Sequence, residues 1–397
     1  MNDFATPVSR LRDLIRPSAS KRTSSFEALS ADTDSVDAPA KNDVLHQVEQ
    51  TLRRMPPDEI GDPQAFRRAL EILLSQADRS LAKLKRAPDA PLDRQDIMAF
   101  EAVIRTDGTR PSLLVREGKV DPHHPLAGSW SGTLADTQDR LRPYIQAVGR
   151  IEPRNATARN YFGTGWVVDA GKGLVLTNLH VLEAMWRRLS NAMLRTVDGN
   201  FRILGDSAYI DFAGESGIDA ANRFRIVKAV PSPIDGDGYG RLDVAVLTIE
   251  PTDPGQTMPS AIPVLADIDG PKGNRDSFCV VGFPGAPPYQ NGIEEGVDWA
   301  WVNTTLFGGR YGVKRLAPGI VHRPLGSFDD DKKGWVFGHD ATTLGGSSGS
   351  PLLSWRDDAS AFGLHFAGAS VDTNTAHAIA RCCEILLKLG VPVRDAS

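Results

Sequence analysis

Three short stretches carry side chains whose types and order suit nucleophilic chemistry. The first is Leu174-Val175-Leu176-Thr177-Asn178-Leu179-His180-Val181, preceded by Phe162-Gly163-Thr164-Gly165-Trp166-Val167-Val168. The second is Leu242-Asp243-Val244-Ala245-Val246-Leu247, and the third is Gly345-Gly346-Ser347-Ser348-Gly349-Ser350-Pro351. A serine hydroxyl is a weak nucleophile at neutral pH and needs a base within hydrogen-bond reach, for which histidine is suited. The base must hold one tautomer, so a carboxylate has to accept its other N–H. An aspartate directly before an apolar strand fits that task, because the strand anchors it and half-buries its side chain. Each residue alone has a plainer reading. A histidine at a strand-to-helix corner is commonly structural, Asp243 could be one more loop acid after Asp235 and Asp237, and Ser347, Ser348 and Ser350 compete as nucleophile.

The elements that must position these residues are mostly strands. From about residue 145 to 375 the chain is rich in β-branched residues, with Gly and Pro every 8–12 residues. Strands are expected at 145–151, 161–169, 174–177, 208–212, 223–229, 242–249, 277–282, 314–320, 351–354 and 362–367. Many short strands at that spacing indicate a barrel or sandwich. The missing βαβ alternation disfavours a doubly wound fold. An amphipathic helix over His377–Leu389 would close the domain. Upstream, residues 1–41 are poor in large apolar side chains and read as a disordered tail. Residues 42–140 read as a helical regulatory or interaction region. Helices are expected near 44–56, 62–88 and 96–104, the second opened by the Asp62-Pro63 start signal. The third domain in this division is 141–397.

Taken together and in order, GTGWVV, LTNLHV, DVAVL and GGSSGSP resemble the trypsin-like serine peptidases of bacterial type, the disulfide-free branch that includes glutamyl endopeptidases. Val280–Gly285 and Gly363–Gly368 resemble two further patches of that family, and the likeness spans roughly residues 145–390. It implies a mainly β fold, a chymotrypsin-like double β-barrel behind the α-helical N-terminal region. It also implies a serine endopeptidase with Ser348 as nucleophile, three residues before the proline, His180 as general base and Asp243 orienting it. The N–H groups of Gly346 and Ser348 would supply the oxyanion hole. In glutamyl endopeptidases a Thr five residues before the nucleophile and a His on the pocket wall hold the substrate carboxylate. Thr343 and His365 occupy those places, which implies cleavage after an acidic residue. Ser347 stands where digestive trypsins carry an Asp, so activation by a salt bridge to a newly cut amine is not expected. A catalytically silent binding module on the same barrels is the rival, and an esterase on the same site a second one. Gly345–Gly349 also comes close to the nucleophile elbow of α/β-hydrolases, but that fold needs its acid and histidine after the serine, where only 49 residues remain.

Composition narrows the partners. The 397 residues carry 45 Lys plus Arg and 50 Asp plus Glu, a net charge of −5, which disfavours nucleic acid. No apolar run is long enough for a membrane span or a secretory signal. Three cysteines, two of them adjacent, make no disulfide framework and have no zinc spacing. The expectation is a cytoplasmic enzyme with no cofactor and no metal. It would act on a protein or peptide, with a regulatory partner reached through the helical region.

Overall fold

The computed structural model describes residues 110–394, apart from 158–159, 219, 234–241, 265–276, 287–292, 295–296, 299–305, 329–330, 356–359 and 371–372. The tail expected at 1–41 and the helices expected at 44–56, 62–88 and 96–104 lie outside these residues. Two units are distinguished, residues 1–109 with 289–309 and residues 110–288 with 310–397. Of the first, a short hairpin is described, pairing Ile293–Glu294 with Val297–Asp298.

The second unit holds two closed barrels of six antiparallel strands each. The first uses β2 (Val148–Pro153), β3 (Gly163–Asp169), β4 (Leu174–Thr177), β7 (Ala208–Asp211), β8 (Arg223–Pro231) and β9 (Ala245–Pro251). Their order is β8-β7-β2-β3-β4-β9, and β8 pairs with β9 to close the ring. A hairpin of β5 (Met193–Arg195) and β6 (Phe201–Ile203) extends it from β8. The second barrel runs β13 (Arg315–Arg323), β10 (Ser277–Gly282), β15 (Pro351–Ser354), β16 (Ala361–Ser370), β17 (Thr373–Ala378) and β14 (Val336–His339), closed by β13 against β14. Closure pairs both edges of each six-stranded ring, which lets short strands of four to ten residues form a stable sheet. Its interior contains Phe278, Phe337, Val321, Leu352 and Phe362, with Phe278 edge-on to Phe362 at 5.5 Å. Each such ring taken from water contributes about 1.5–3 kcal/mol.

Among the described residues three α-helices frame the barrels: α1 (Ser131–Gln146), α2 (Leu179–Arg188) and α3 (Ile379–Lys388). α1 buries Leu134, Thr137, Leu141 and Ile145 along one side. It runs through residue 141, where the sequence reading starts its third domain, so that boundary falls inside an element. Pro143 within α1 hides the helical pattern, and the strand expected from 145 begins only at Val148. At the other end, His377 and Ala378 finish β17, so the helix expected from His377 starts two residues later.

The segment ahead of α1 is stitched into the barrels. β1 (Leu113–Leu114) pairs with Leu316 and Arg315 of β13. Val115 N–H donates to Lys314 O at 3.1 Å, and Ser216 N–H to Val115 O at 3.2 Å. Gly118 N–H reaches Glu215 Oε2 at 2.9 Å. Lys314, fully buried, donates to the carbonyls of Phe212 (2.9 Å) and Ile145 (3.1 Å) and to Glu215 Oε1 (3.3 Å). One charged side chain thus joins the start of β13 to elements of the first barrel, and burial pushes its ammonium pKa down.

Candidate active site

Register places the first two residues of interest. β4 pairs with β9 so that Thr177 lies opposite Ala245. The residues just beyond that pair, Asn178–His180 after β4 and Asp243–Val244 before β9, therefore lie side by side. His180 sits in the first turn of α2, and its ring Nδ1 is 2.7 Å from Asp243 Oδ2. The His180 backbone N–H donates to Asp243 Oδ1 at 2.9 Å, and Asn178 Nδ2 donates to the Asp243 carbonyl at 2.9 Å. Both carboxylate oxygens are thus committed to His180. Burial raises the Asp243 carboxyl pKa, but the hydrogen bonds from His180 and the imidazole charge outweigh it, and the net shift is downward.

Ser348 lies in the loop between β14 and β15. Its carbonyl accepts Thr164 N–H at 2.9 Å. Its Oγ makes a long bond of 3.4 Å to Phe366 O on β16. Gly163 shows how closely the pieces meet. A Cβ there would stand 2.7 Å from Val181 Cγ2 and 3.1 Å from the Ser348 carbonyl. The neighbour of His180 and the backbone of Ser348 therefore pack on the same glycine, and a side chain there would push them apart. Gly346 has φ +92°. Its N–H and that of Ser348 make no hydrogen bond among the described residues.

His365 is 3% exposed and holds the same loop through its backbone. Gly349 N–H donates to His365 O and His365 N–H to Ser350 O, both at 2.9 Å. Its Nδ1 is 3.3 Å from Nε2 of His339 on β14, a residue the sequence reading did not single out. Burial lowers the His365 pKa to about 4, with the His180 charge adding to the effect. Thr343 is half-buried, and among the described residues no hydrogen bond joins it to His365. The neighbouring Thr342 donates from Oγ1 to Arg110 O at 2.8 Å.

Other residues around the site were missed because strand pairing and barrel packing, rather than a local motif, bring them there. Phe366 stacks on His377 with centroids 4.2 Å apart. His377 is buried, faces Asp243 and His180 electrostatically, and its pKa falls to about 4 through burial. Tyr161 Oη donates to Phe283 O at 2.7 Å. Thr164 was legible only as a letter of the GTGW motif. Among the described residues no group of three His, Cys, Asp or Glu side chains could hold a metal ion.

Residues 163–363 match a family described as the trypsin-like peptidase domain. A probable serine protease of Lysobacter enzymogenes is 41% identical over 374 residues, covering 93% of this chain and 94% of that protein. Among solved structures, the inactive form of the Rv3671c protease of M. tuberculosis aligns at 17% identity and a TM-score of 0.35, covering 65% of this chain and 96% of that one. A serine endoprotease from Yersinia pestis aligns at 17% identity and a TM-score of 0.36, covering 64% and 66%.

Proposed function

The chain belongs to the trypsin-like peptidase family, and we propose that it hydrolyses peptide bonds through an acyl-enzyme on Ser348. In this reading Ser348 Oγ attacks the scissile carbonyl while His180 Nε2 takes its proton. Asp243 accepts the Nδ1–H, which keeps the proton off Nε2 before the step and stabilises the imidazolium after it. The N–H groups of Gly346 and Ser348 receive the negative charge on the carbonyl oxygen, and one such donor is worth about 2.7–4 kcal/mol in the transition state. His180 then returns the proton to the leaving amine, and water repeats the sequence on the ester. The observation that carries the reading is the pair of hydrogen bonds that Asp243 accepts from His180, one from the ring and one from the backbone N–H. The binding-module alternative has no observation in its favour.

Cleavage after an acidic residue is the finer part of the proposal. It is supported by Thr343 standing five residues before Ser348 and by His365 gripping the nucleophile loop. A cytoplasmic setting is supported by three unpaired cysteines, Cys279, Cys382 and Cys383, which suit a reducing compartment. A regulatory partner acting through the region upstream of the barrels is supported by that region's position and helical pattern alone.

The test is labelling with a fluorophosphonate, read by intact mass. One adduct on the wild type and none on Ser348→Ala is expected. No adduct on the wild type, or an adduct on both, overturns the assignment. Peptides with Glu, Asp, Gln, Leu or Arg before the cut then settle the preference, and equal kcat/KM for Glu and Gln refutes acid recognition.

A further inference from the structure

An oxyanion hole needs two peptide planes held with their N–H groups towards the substrate. In a trans peptide the N–H and C=O point in opposite directions, so each plane is set by what its carbonyl binds. The Gly345 carbonyl accepts Gly285 N–H at 2.6 Å, and the Ser347 carbonyl accepts Ser350 N–H at 3.0 Å. Those bonds turn the N–H groups of Gly346 and Ser348 the other way. The plane between them, Gly346–Ser347, is held from the first barrel. Thr164 Oγ1 donates to Gly346 O at 2.8 Å, and the same oxygen accepts Phe283 N–H at 3.2 Å.

The rest of Thr164 is equally committed. Its N–H donates to Ser348 O at 2.9 Å, and its carbonyl accepts Thr177 Oγ1 at 2.7 Å, three residues from His180. The residue is fully buried. Gly346 needs such a restraint, because its φ of +92° is a conformation with little intrinsic preference to hold it. A Cβ there would also meet Tyr161 Oη and the Phe283 carbonyl, the latter at 2.7 Å, so the loop is pressed against its support. Ser347 brings no charge to pin the loop, and its Oγ lies only at 3.5 Å from Leu344 N–H.

We propose that Thr164 is a positioning residue for the oxyanion hole. Its hydroxyl fixes the Gly346–Ser347 peptide, and through it the directions of the Gly346 and Ser348 N–H groups. The proposal rests on the reading of Ser348 as nucleophile. It makes a neutral hydroxyl of the first barrel do what a salt bridge to a freshly cut amine does elsewhere, so the hole is formed without processing. It also ties the two halves of the site together, since the same strand pair carries His180.

The experiment compares Thr164→Val, which keeps the shape and removes the donor, with Thr164→Ser, which keeps the donor. Both are made in the full-length chain and assayed for kcat and KM on one peptide, with active sites titrated. Val is expected to lower kcat per active site about tenfold or more, approaching the 10²–10³-fold cost of an outright lost donor, with KM within about twofold. Fluorophosphonate labelling slows by the same factor, and Ser restores both. A wild-type kcat for Val, a loss carried by KM, or a loss that Ser does not restore overturns the proposal. Should Val fail to fold, Thr164→Ala is read by the same criteria. Ser348→Ala separates the two levels. If it still labels, the nucleophile assignment fails; if it is silent while Val works normally, only the role of Thr164 fails.

Discussion

On the proposed mechanism, replacing Asp243 by asparagine should disable the enzyme while leaving the fold in place, and the geometry says why. Asp243 receives two bonds from His180, the backbone N–H on Oδ1 at 2.9 Å and the ring Nδ1 on Oδ2 at 2.7 Å. An amide has one accepting end and one donating end. The backbone N–H can only donate, so it claims the amide oxygen at the Oδ1 position. The NH2 group then faces Nδ1, which must accept. The ring proton moves to Nε2, and the base can no longer take the proton of Ser348. In the Ser-His-Asp template this wrong tautomer costs about 10⁴ in kcat. At 1.36 kcal/mol per tenfold, that raises the activation barrier by about 5.4 kcal/mol. Both hydrogen bonds survive in number, so the stability change should stay below the roughly 1.5–3 kcal/mol of a bond to a charged group. The assay is kcat and KM on a peptide substrate at neutral pH, with thermal unfolding of the same preparation. Asp243→Asn within tenfold of wild-type kcat, at an unchanged melting temperature, would refute the tautomer argument and with it the role of Asp243.

Further outcomes follow from the surrounding structure. Glu215→Ala leaves the Lys314 ammonium buried without its counter-charge and frees Gly118 N–H; urea unfolding should show a loss of about 3–5 kcal/mol, and a loss under 1 kcal/mol would contradict the pairing. His365 and His377 are held neutral, with pKa values near 4 against 6.5 when free, so the unfolded chain binds more protons between those values. Their contribution is complete above pH 6.5 and drains as pH falls towards 4, by roughly 3 kcal/mol each at 1.36 kcal/mol per unit. A urea midpoint that stays flat from pH 7 to 4.5 would exclude this. Removing residues 1–109 should leave folding and labelling intact, and any change in labelling rate reads out a restraint by the upstream region. Removing residues 1–120 takes away β1 and the buried Leu113, Val115 and Val120, each worth about 1.5–3 kcal/mol, and should abolish cooperative melting.

The order His180, Asp243, Ser348 was readable because each sits in a short local motif. An apolar strand run next to a polar residue, or a cluster of glycines around a serine, is a pattern within a few neighbours. The alternation and punctuation of 145–375 likewise carried the mainly β class, and the family likeness carried the two barrels. Elements with weak local patterns were less legible. α1 contains a proline, and β5, β6, β14 and β17 carry no run of three apolar residues such as the one that marks β4. His377 looked like the opening of an amphipathic helix because the apolar stripe of α3 begins two residues later.

What tertiary structure alone decided is which distant groups are bonded to one another around the proposed site. The bond from Thr164 to Gly346 spans 182 residues, that from Tyr161 to Phe283 122, and that from Lys314 to Ile145 169. The pairing of His365 with His339 joins β16 to β14, two strands that β17 separates in the closed sheet. Types and local spacing determine what a side chain can do, since pKa, charge and strand periodicity are short-range properties. Partners at such separations are set by barrel closure and strand register, and no local pattern records where a closed sheet will bring two distant residues together.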